Sequence, residues 1–176
     1  LDKDITDVRA SHGITINSCV ERPLSRGSIR LASARPEDQP LIDPNYLAEP
    51  EDLRLSIGGI RRAREIMAQS PLRELIEREI FPGPEKQSDE ELAAHARRFV
   101  KTVYHPCGTA RMGSDDGAVV TPDLRLRGVE ALRVVDASVI PTIISGNTNA
   151  AVLVVAEKAA EFILGKPARP TAGPAS

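Results

Sequence analysis

The chain has 176 residues, long enough for one domain with a real core. Apolar residues make up 41% and charged residues 27%, an ordinary soluble globular composition, and a net charge of −2 gives no basis for a nucleic-acid partner. No run of about 18 apolar residues is present to span a membrane; the longest apolar stretch, "NAAVLVVAEKAAEFIL", is interrupted by Glu157, Lys158 and Glu161.

The first predicted element is a β-hairpin. Ile14, Ile16, Ser18 and Val20 alternate with Thr15, Asn17 and Cys19 at period two, and Ile29 and Leu31 continue the alternation after a connection through Pro23, Ser25 and Gly27. The next stretch, "ARPEDQPLIDPNYLAEP", holds four prolines and no sustained period, and reads as an extended surface loop. Residues 51–69 read as a helix with Leu53, Ile57, Ile60 and Met67 on one face and Ala63 and Ile66 nearby. Gly58 and Gly59 cost that helix about 1 kcal/mol each against alanine, which points to close packing or a break. A second short helix is expected over "SPLRELIERE", with Ser70 as N-cap and Pro71 at the first helical position, ending before Phe81–Pro84. The third spans "SDEELAAHARRFVKTVY". Ser88 and Glu91 form its capping box, and Leu92, Ala96, Phe99, Val100 and Val103 its apolar stripe.

After an acidic turn, "GSDDG", Leu132 to Asp136 reads as a short buried strand. "SGNTNAAVLVVAEKAAEFILG" starts as a turn and becomes a helix closed by Gly165. Its first half is apolar almost all round, so burial on several sides is expected. The tail 166–176 is expected to be disordered. The fold class is α+β. Because a lone two-stranded hairpin is rarely stable, further strands are expected, from 114–128 or from chain beyond these residues.

Cys19 and Cys107 are too few and too far apart for a disulfide framework, so two thiols in a reducing compartment are expected. No secretory leader is visible ahead of the hairpin. A bacterial-type cytoplasmic location is expected, with a peripheral contact to the inner membrane left open.

Three pieces are over-specified for packing: "HPCGT" at 105, "VVDASVIP" at 134 and "SGNTNA" at 145. Pro106 removes a backbone donor and pushes His105 toward an extended conformation, and Gly108 permits backbone geometry that other residues resist. His105 therefore sits on a locally held segment, where a working side chain is useful. Each piece also has a plain reading. Asn147 suits a helix N-cap, Asp136 suits the backbone donors of the next turn, and His105 suits a hydrogen-bonded structural histidine. No metal site is expected, because His105 and Cys107 form only an H-x-C pair, without zinc-ligand spacing. The sequence lacks the G-x-G-x-x-G fingerprint, a P-loop, a G-x-S-x-G elbow and an H-E-x-x-H motif.

Together the three pieces resemble the glucose-methanol-choline (GMC) family of flavin-dependent alcohol oxidoreductases, in particular its choline dehydrogenase-like members. The family pattern is roughly "HPxGTxxMG", "LRVxDxSxxP" and "GNxNAxxxxxAEKAAD". Here it stands as "HPCGTARMG", "LRVVDASVIP" and "GNTNAAVLVVAEKAAEFIL". "RPLSRGSIRL" and "IDPNYL" also resemble the opening of the family's substrate domain, so the likeness covers about residues 13–165.

The resemblance implies an FAD cofactor held mostly by an N-terminal domain absent here, whose glycine fingerprint this chain lacks. It implies a substrate-binding domain over residues 1–128, an antiparallel sheet with helices packed on one face. It further implies a strand and helix over 129–165 that return to the FAD domain. By motif position His105 and Asn147 match the catalytic pair; the second position is histidine in some members and asparagine in choline-oxidising ones. Asp136 and Ala137 match residues whose backbone touches the flavin's ribityl and phosphate region. Asn149 and Ala150 match the helix start near the isoalloxazine.

The implied chemistry is oxidation of a primary alcohol, choline or another, to an aldehyde. A neutral imidazole takes the hydroxyl proton and hydride passes to flavin N5. The amide of Asn147 donates to the oxygen where charge develops, worth roughly 3 kcal/mol when preorganised. The alternative is an isolated, non-catalytic domain fragment that does not hold FAD by itself. The expected partners are a small alcohol and the FAD domain of the same parent chain.

Overall fold

The structure is a computed structural model that describes residues 13–165; His12 and the tail 166–176 lie outside the described residues. These residues form two compact units, 13–20 with 50–99 and 21–49 with 100–165.

The first unit is helical. Helix α1, Pro50–Met67, follows the predicted stripe: Ile57 is buried, while Leu53, Ile60, Ala63 and Met67 are half-buried. Asp52 is buried in its first turn, where the positive helix end favours a carboxylate. Gly59 is needed for close packing, since a Cβ there would overlap the Ser18 side chain. Helix α2 is only Leu72–Leu75, shorter than the pattern over 70–79 suggests. Ser70 does not cap it; its hydroxyl donates to Glu74 Oε1 at 2.9 Å. The chain turns extended at Ile76, and Glu79 beyond it pairs with Arg64 of α1 at 3.1 Å, a tertiary contact that overrides local propensity.

Helix α3, Asp89–Phe99, packs against α1 and buries Leu92 and Ala96. The predicted capping box is formed. Glu91 N–H donates to Ser88 Oγ at 3.2 Å, and Glu91 Oε2 accepts from Ser88 N–H at 3.0 Å. α3 stops at Phe99 rather than Tyr104. Three β-branched residues, Val100, Thr102 and Val103, follow it, and Pro106 disfavours the helical region at His105.

The second unit holds the sheet. Strands β1, Ser28–Arg30, and β2, Leu41–Asp43, pair antiparallel with Ile29 opposite Ile42. The hairpin is thus real but displaced. Residues 14–20 form no strand, and β2 comes from the segment read as a loop, with Pro40 and Pro44 just outside it so that no ladder donor is lost. All six strand residues are exposed. The helix layer expected on one face of the sheet is therefore not formed within the described residues.

The core of this unit is Val120, Leu124, Val139 and Ala159, flanked by Met112, Leu126, Val134 and Val155. Residues 132–136 do not make a strand. They give one antiparallel bridge, Arg125 to Arg133, with Leu126 N–H donating to Leu132 O at 2.9 Å. Ala131 takes positive φ, 58°, just before the run, and the 3-10 turn capped by Asp136 ends it on the other side. The 114–128 segment does supply pairing, but to 111–113, to 132–134 and to itself rather than to β1 and β2.

Residues Ala137–Val139 form a 3-10 turn, and helix α4 spans Asn149–Ile163, with Gly165 at φ 62° just past its end. Burial of α4 on several sides is not met within the described chain. Ala159 is its buried residue, while Leu153 and Val154 are 59% and 62% exposed. Among the described residues no helix is long and apolar enough to cross a membrane. Two features of the α+β class stand: a small antiparallel sheet and separate helices.

Candidate active site

The three over-specified pieces meet in the second unit. Ala110 N–H donates to Ser138 O at 3.0 Å and Met112 N–H to Val139 O at 2.8 Å, so the chain after His105 is stitched to the 3-10 turn. Val139 of that turn and Ala159 of α4 share the core, which ties the turn to the helix. Gly108 lies between, at φ 88°, and a Cβ there would sit 3.4 Å from Ile140 O. The left-handed backbone favours glycine at that point, while the space beside it is ordinary contact distance.

Two features hold His105 itself. Tyr104 adopts φ 66°, an uncommon conformation for a bulky residue, and its N–H donates to Thr102 Oγ1 at 2.8 Å. On the other side, His105 Nδ1 lies 3.0 Å from the Thr148 hydroxyl, 43 residues away. The ring is half-buried, and Nδ1 is its only nitrogen with a hydrogen bond among the described residues.

The bond to Thr148 brings His105 to the residue next to Asn147, whose side chain is exposed. Asn147 is not the N-cap of α4. Thr148 holds that position and makes no side-chain cap. The loop before it is anchored by Arg22, whose Nε donates to Ser145 Oγ at 2.7 Å. The first-turn amides of α4, at Asn149, Ala150 and Ala151, have no intrahelical acceptor and point outward from the helix start as donors.

Asp136 takes the role its plain reading gives it. Its Oδ1 accepts from Ser138 N–H at 2.8 Å and caps the 3-10 turn, so the carboxylate is engaged locally and Ala137 follows half-buried. Cys107 is a half-buried free thiol, pushed up by burial against the lowering charge of Arg26. Arg111 grips Asp115 through both guanidinium nitrogens, at 2.9 and 2.6 Å, and holds that carboxyl well below the usual carboxylate range. Among the described residues no cluster of three or more His, Cys, Asp or Glu side chains is placed to hold a metal ion.

Sequence reasoning missed Thr148. The only signal for Thr148 was a capping-type residue directly before a helix, and that signal suggests a different bond. A cleft of about 660 Å³ in the helical unit, lined by His95, Phe81, Phe99 and Arg98 among others, contains none of the predicted site residues.

Residues 23–156 match the family described as GMC oxidoreductase. The chain belongs to the GMC oxidoreductase family. Over 159 residues it is 47% identical to an alcohol dehydrogenase [acceptor] of Pseudomonas putida, covering 90% of this chain and 29% of the relative. It is 44% identical to a choline oxidase of Arthrobacter globiformis, covering 86% of this chain and 29% of the relative. The solved pyridoxine 4-oxidase from Mesorbium loti superposes with a TM-score of 0.78 at 38% identity, over 84% of this GMC chain and 29% of that one. An FAD-dependent oxidoreductase from Chaetomium thermophilum superposes with a TM-score of 0.77 at 35% identity, over 82% and 25%. This GMC chain therefore spans about three tenths of the length of the curated relatives it matches.

Proposed function

We propose that this chain carries the substrate side of a flavin-dependent alcohol oxidoreductase that converts a primary alcohol to an aldehyde. The observation that carries the reading is the His105–Thr148 hydrogen bond, which fixes an imidazole with a free Nε2 beside the loop bearing Asn147. The names of the relatives, an alcohol dehydrogenase and a choline oxidase, support the substrate class.

In this reading His105 Nε2 takes the hydroxyl proton. The O–H bond breaks and its electron pair stays on oxygen, which weakens the adjacent C–H bond toward hydride loss. The Asn147 amide donates a hydrogen bond to that oxygen as charge gathers on it, worth roughly 3 kcal/mol if preorganised. A bound flavin would supply the acceptor for the hydride. The residues present fit such a group. The unpartnered first-turn amides at Asn149 and Ala150 suit its carbonyl-rich edge, and the exposed apolar side chains Leu153 and Val154 offer surface for protein or cofactor to cover. Asp136 and Ala137 would contribute backbone, since the Asp136 carboxylate is already engaged.

The division expected at residue 128 then takes a functional meaning: 1–128 binds substrate, and 129–165 returns to the flavin-binding portion while sharing a core with Val120 and Leu124. That portion would also cover the open sheet. The same exposed surfaces favour a second reading for the chain by itself, a non-catalytic domain that holds no flavin.

The test uses the flavin-loaded enzyme. His105→Ala lowers turnover by about 10² to 10⁴, the usual worth of a positioned base, while the visible flavin band survives. Unchanged turnover would reduce His105 to a structural role. The chain purified alone serves as the colourless control, and a yellow, active preparation of it would sink the second reading.

A further inference from the structure

Thr148 is one of two buried polar side chains among the described residues, 8% exposed. A buried hydroxyl is costly without a partner. A threonine at a helix start ordinarily bonds an amide of the first turn. Here the backbone of Thr148 is helical, φ −76° and ψ −11°, the cap bond is absent, and the hydroxyl meets His105 Nδ1 at 3.0 Å instead. The helix start forgoes a cap so that its hydroxyl can reach the imidazole.

The direction of that bond decides what the ring can do. A neutral imidazole carries its proton on one nitrogen only. If the hydroxyl donates to Nδ1, the proton sits on Nε2, which is then a donor and not a base. If Nδ1–H donates to Oγ1, Nε2 holds a lone pair. The second arrangement also survives proton uptake, because Nδ1–H remains a donor in the imidazolium. The first has to break.

We infer that Thr148 is a positioning residue whose Oγ1 accepts from His105 Nδ1–H, holding the ring in the tautomer that takes the substrate proton at Nε2. This rests on the oxidoreductase reading above. Several charged and titratable groups on the adjoining segments are engaged elsewhere, Arg22 by Ser145 among them, while the exposed Lys101 and Tyr104 share the His105 segment. Asp136 is engaged by Ser138, Arg26 donates to the carbonyls of Pro23 and Ser25, and Cys107 has a thiol pushed up by burial. On α4 the first charge is Glu157, about two and a half turns beyond Thr148.

The experiment compares Thr148→Val, Thr148→Ser and His105→Ala in the flavin-loaded enzyme, with turnover of a primary alcohol followed against pH. Thr148→Val lowers kcat by about 10- to 100-fold, the range for removing a partner behind a metal-ligating imidazole. The acid limb of kcat/KM moves to lower pH, because the imidazolium loses an acceptor. Thr148→Ser restores both. An unmoved limb, a limb moved to higher pH, or equal losses in the Val and Ser variants would overturn the inference. If the parent enzyme oxidises no primary alcohol, the oxidoreductase reading itself fails, and that outcome is separate; unchanged turnover in His105→Ala would reduce His105 to a structural role and overturn the inference with it. In the unsubstituted enzyme the ¹⁵N resonances of His105 provide a readout that needs no variant: a proton on Nδ1 supports the assignment, and one on Nε2 refutes it.

Discussion

The two units are built by different physics. In the helical unit, 13–20 with 50–99, local sequence pattern decides most of the backbone. The stripe of α1 is buried where its period places it, and the Ser88–Glu91 box starts α3 at the expected residue. In the second unit, 21–49 with 100–165, regular structure is sparse and contacts distant in sequence hold the chain. All five non-glycine residues with positive φ among the described residues lie there: Asn45, Leu47, Tyr104, Leu124 and Ala131. Each such residue costs on the order of 1–2 kcal/mol and persists only where surrounding contacts impose it. The candidate active site is in that unit, beside Tyr104. Local pattern builds the helical unit, and imposed backbone holds the segment of the candidate site.

The comparison can be sharpened by matched cavities. Leu92→Ala in α3 and Leu124→Ala in the second core each remove a buried leucine, and each should cost about 2–5 kcal/mol by denaturant unfolding. Their effects on the flavin-loaded enzyme should differ. Leu124→Ala loosens the core that seats Val139 and Ala159 and should lower kcat, whereas Leu92→Ala should lower stability with kcat retained. Equal losses of kcat would erase the division of labour.

A smaller effect, about 1 kcal/mol, is expected for Ser88→Ala, which removes the cap of α3. It should appear in the melting temperature and leave kcat/KM untouched. A catalytic defect in that variant would show that the helical unit does more than support.

The smallest effect concerns His95 in the cleft of the helical unit. Burial holds its imidazole below the ordinary histidine value, helped by the charges of Lys86 and Arg64, and its Nδ1 is buried without a hydrogen-bond partner among the described residues. The folded form then resists a proton that the unfolded chain accepts. Its share of stability is complete above the unfolded value of about 6.5 and declines as pH falls below it. His95→Leu should therefore flatten the loss of melting temperature between about pH 7 and about pH 5. A parallel loss in both proteins would assign the acid sensitivity elsewhere.

The site was partly legible in the sequence because its motifs are made of residues with few conformational alternatives. Pro106 and Gly108 marked a held segment, and "GNTNA" marked a helix start. What stayed hidden were the outcomes of competition. Thr148 had a local bond available and took a distant one. The chain at 132–136 had strand composition and was cut short by left-handed Ala131 before it and the 3-10 turn after it, and β1 found its partner in a proline-flanked segment rather than in 14–20.

By itself the sequence determined where helices form, the Ser88–Glu91 capping box, the α+β class and the three motif pieces, because periodicity and capping act over a few residues. The tertiary structure alone decided strand pairing, the ends of α2 and α3, and which hydroxyl stands behind His105. Those depend on groups far apart in the chain, which become neighbours only after the core has closed.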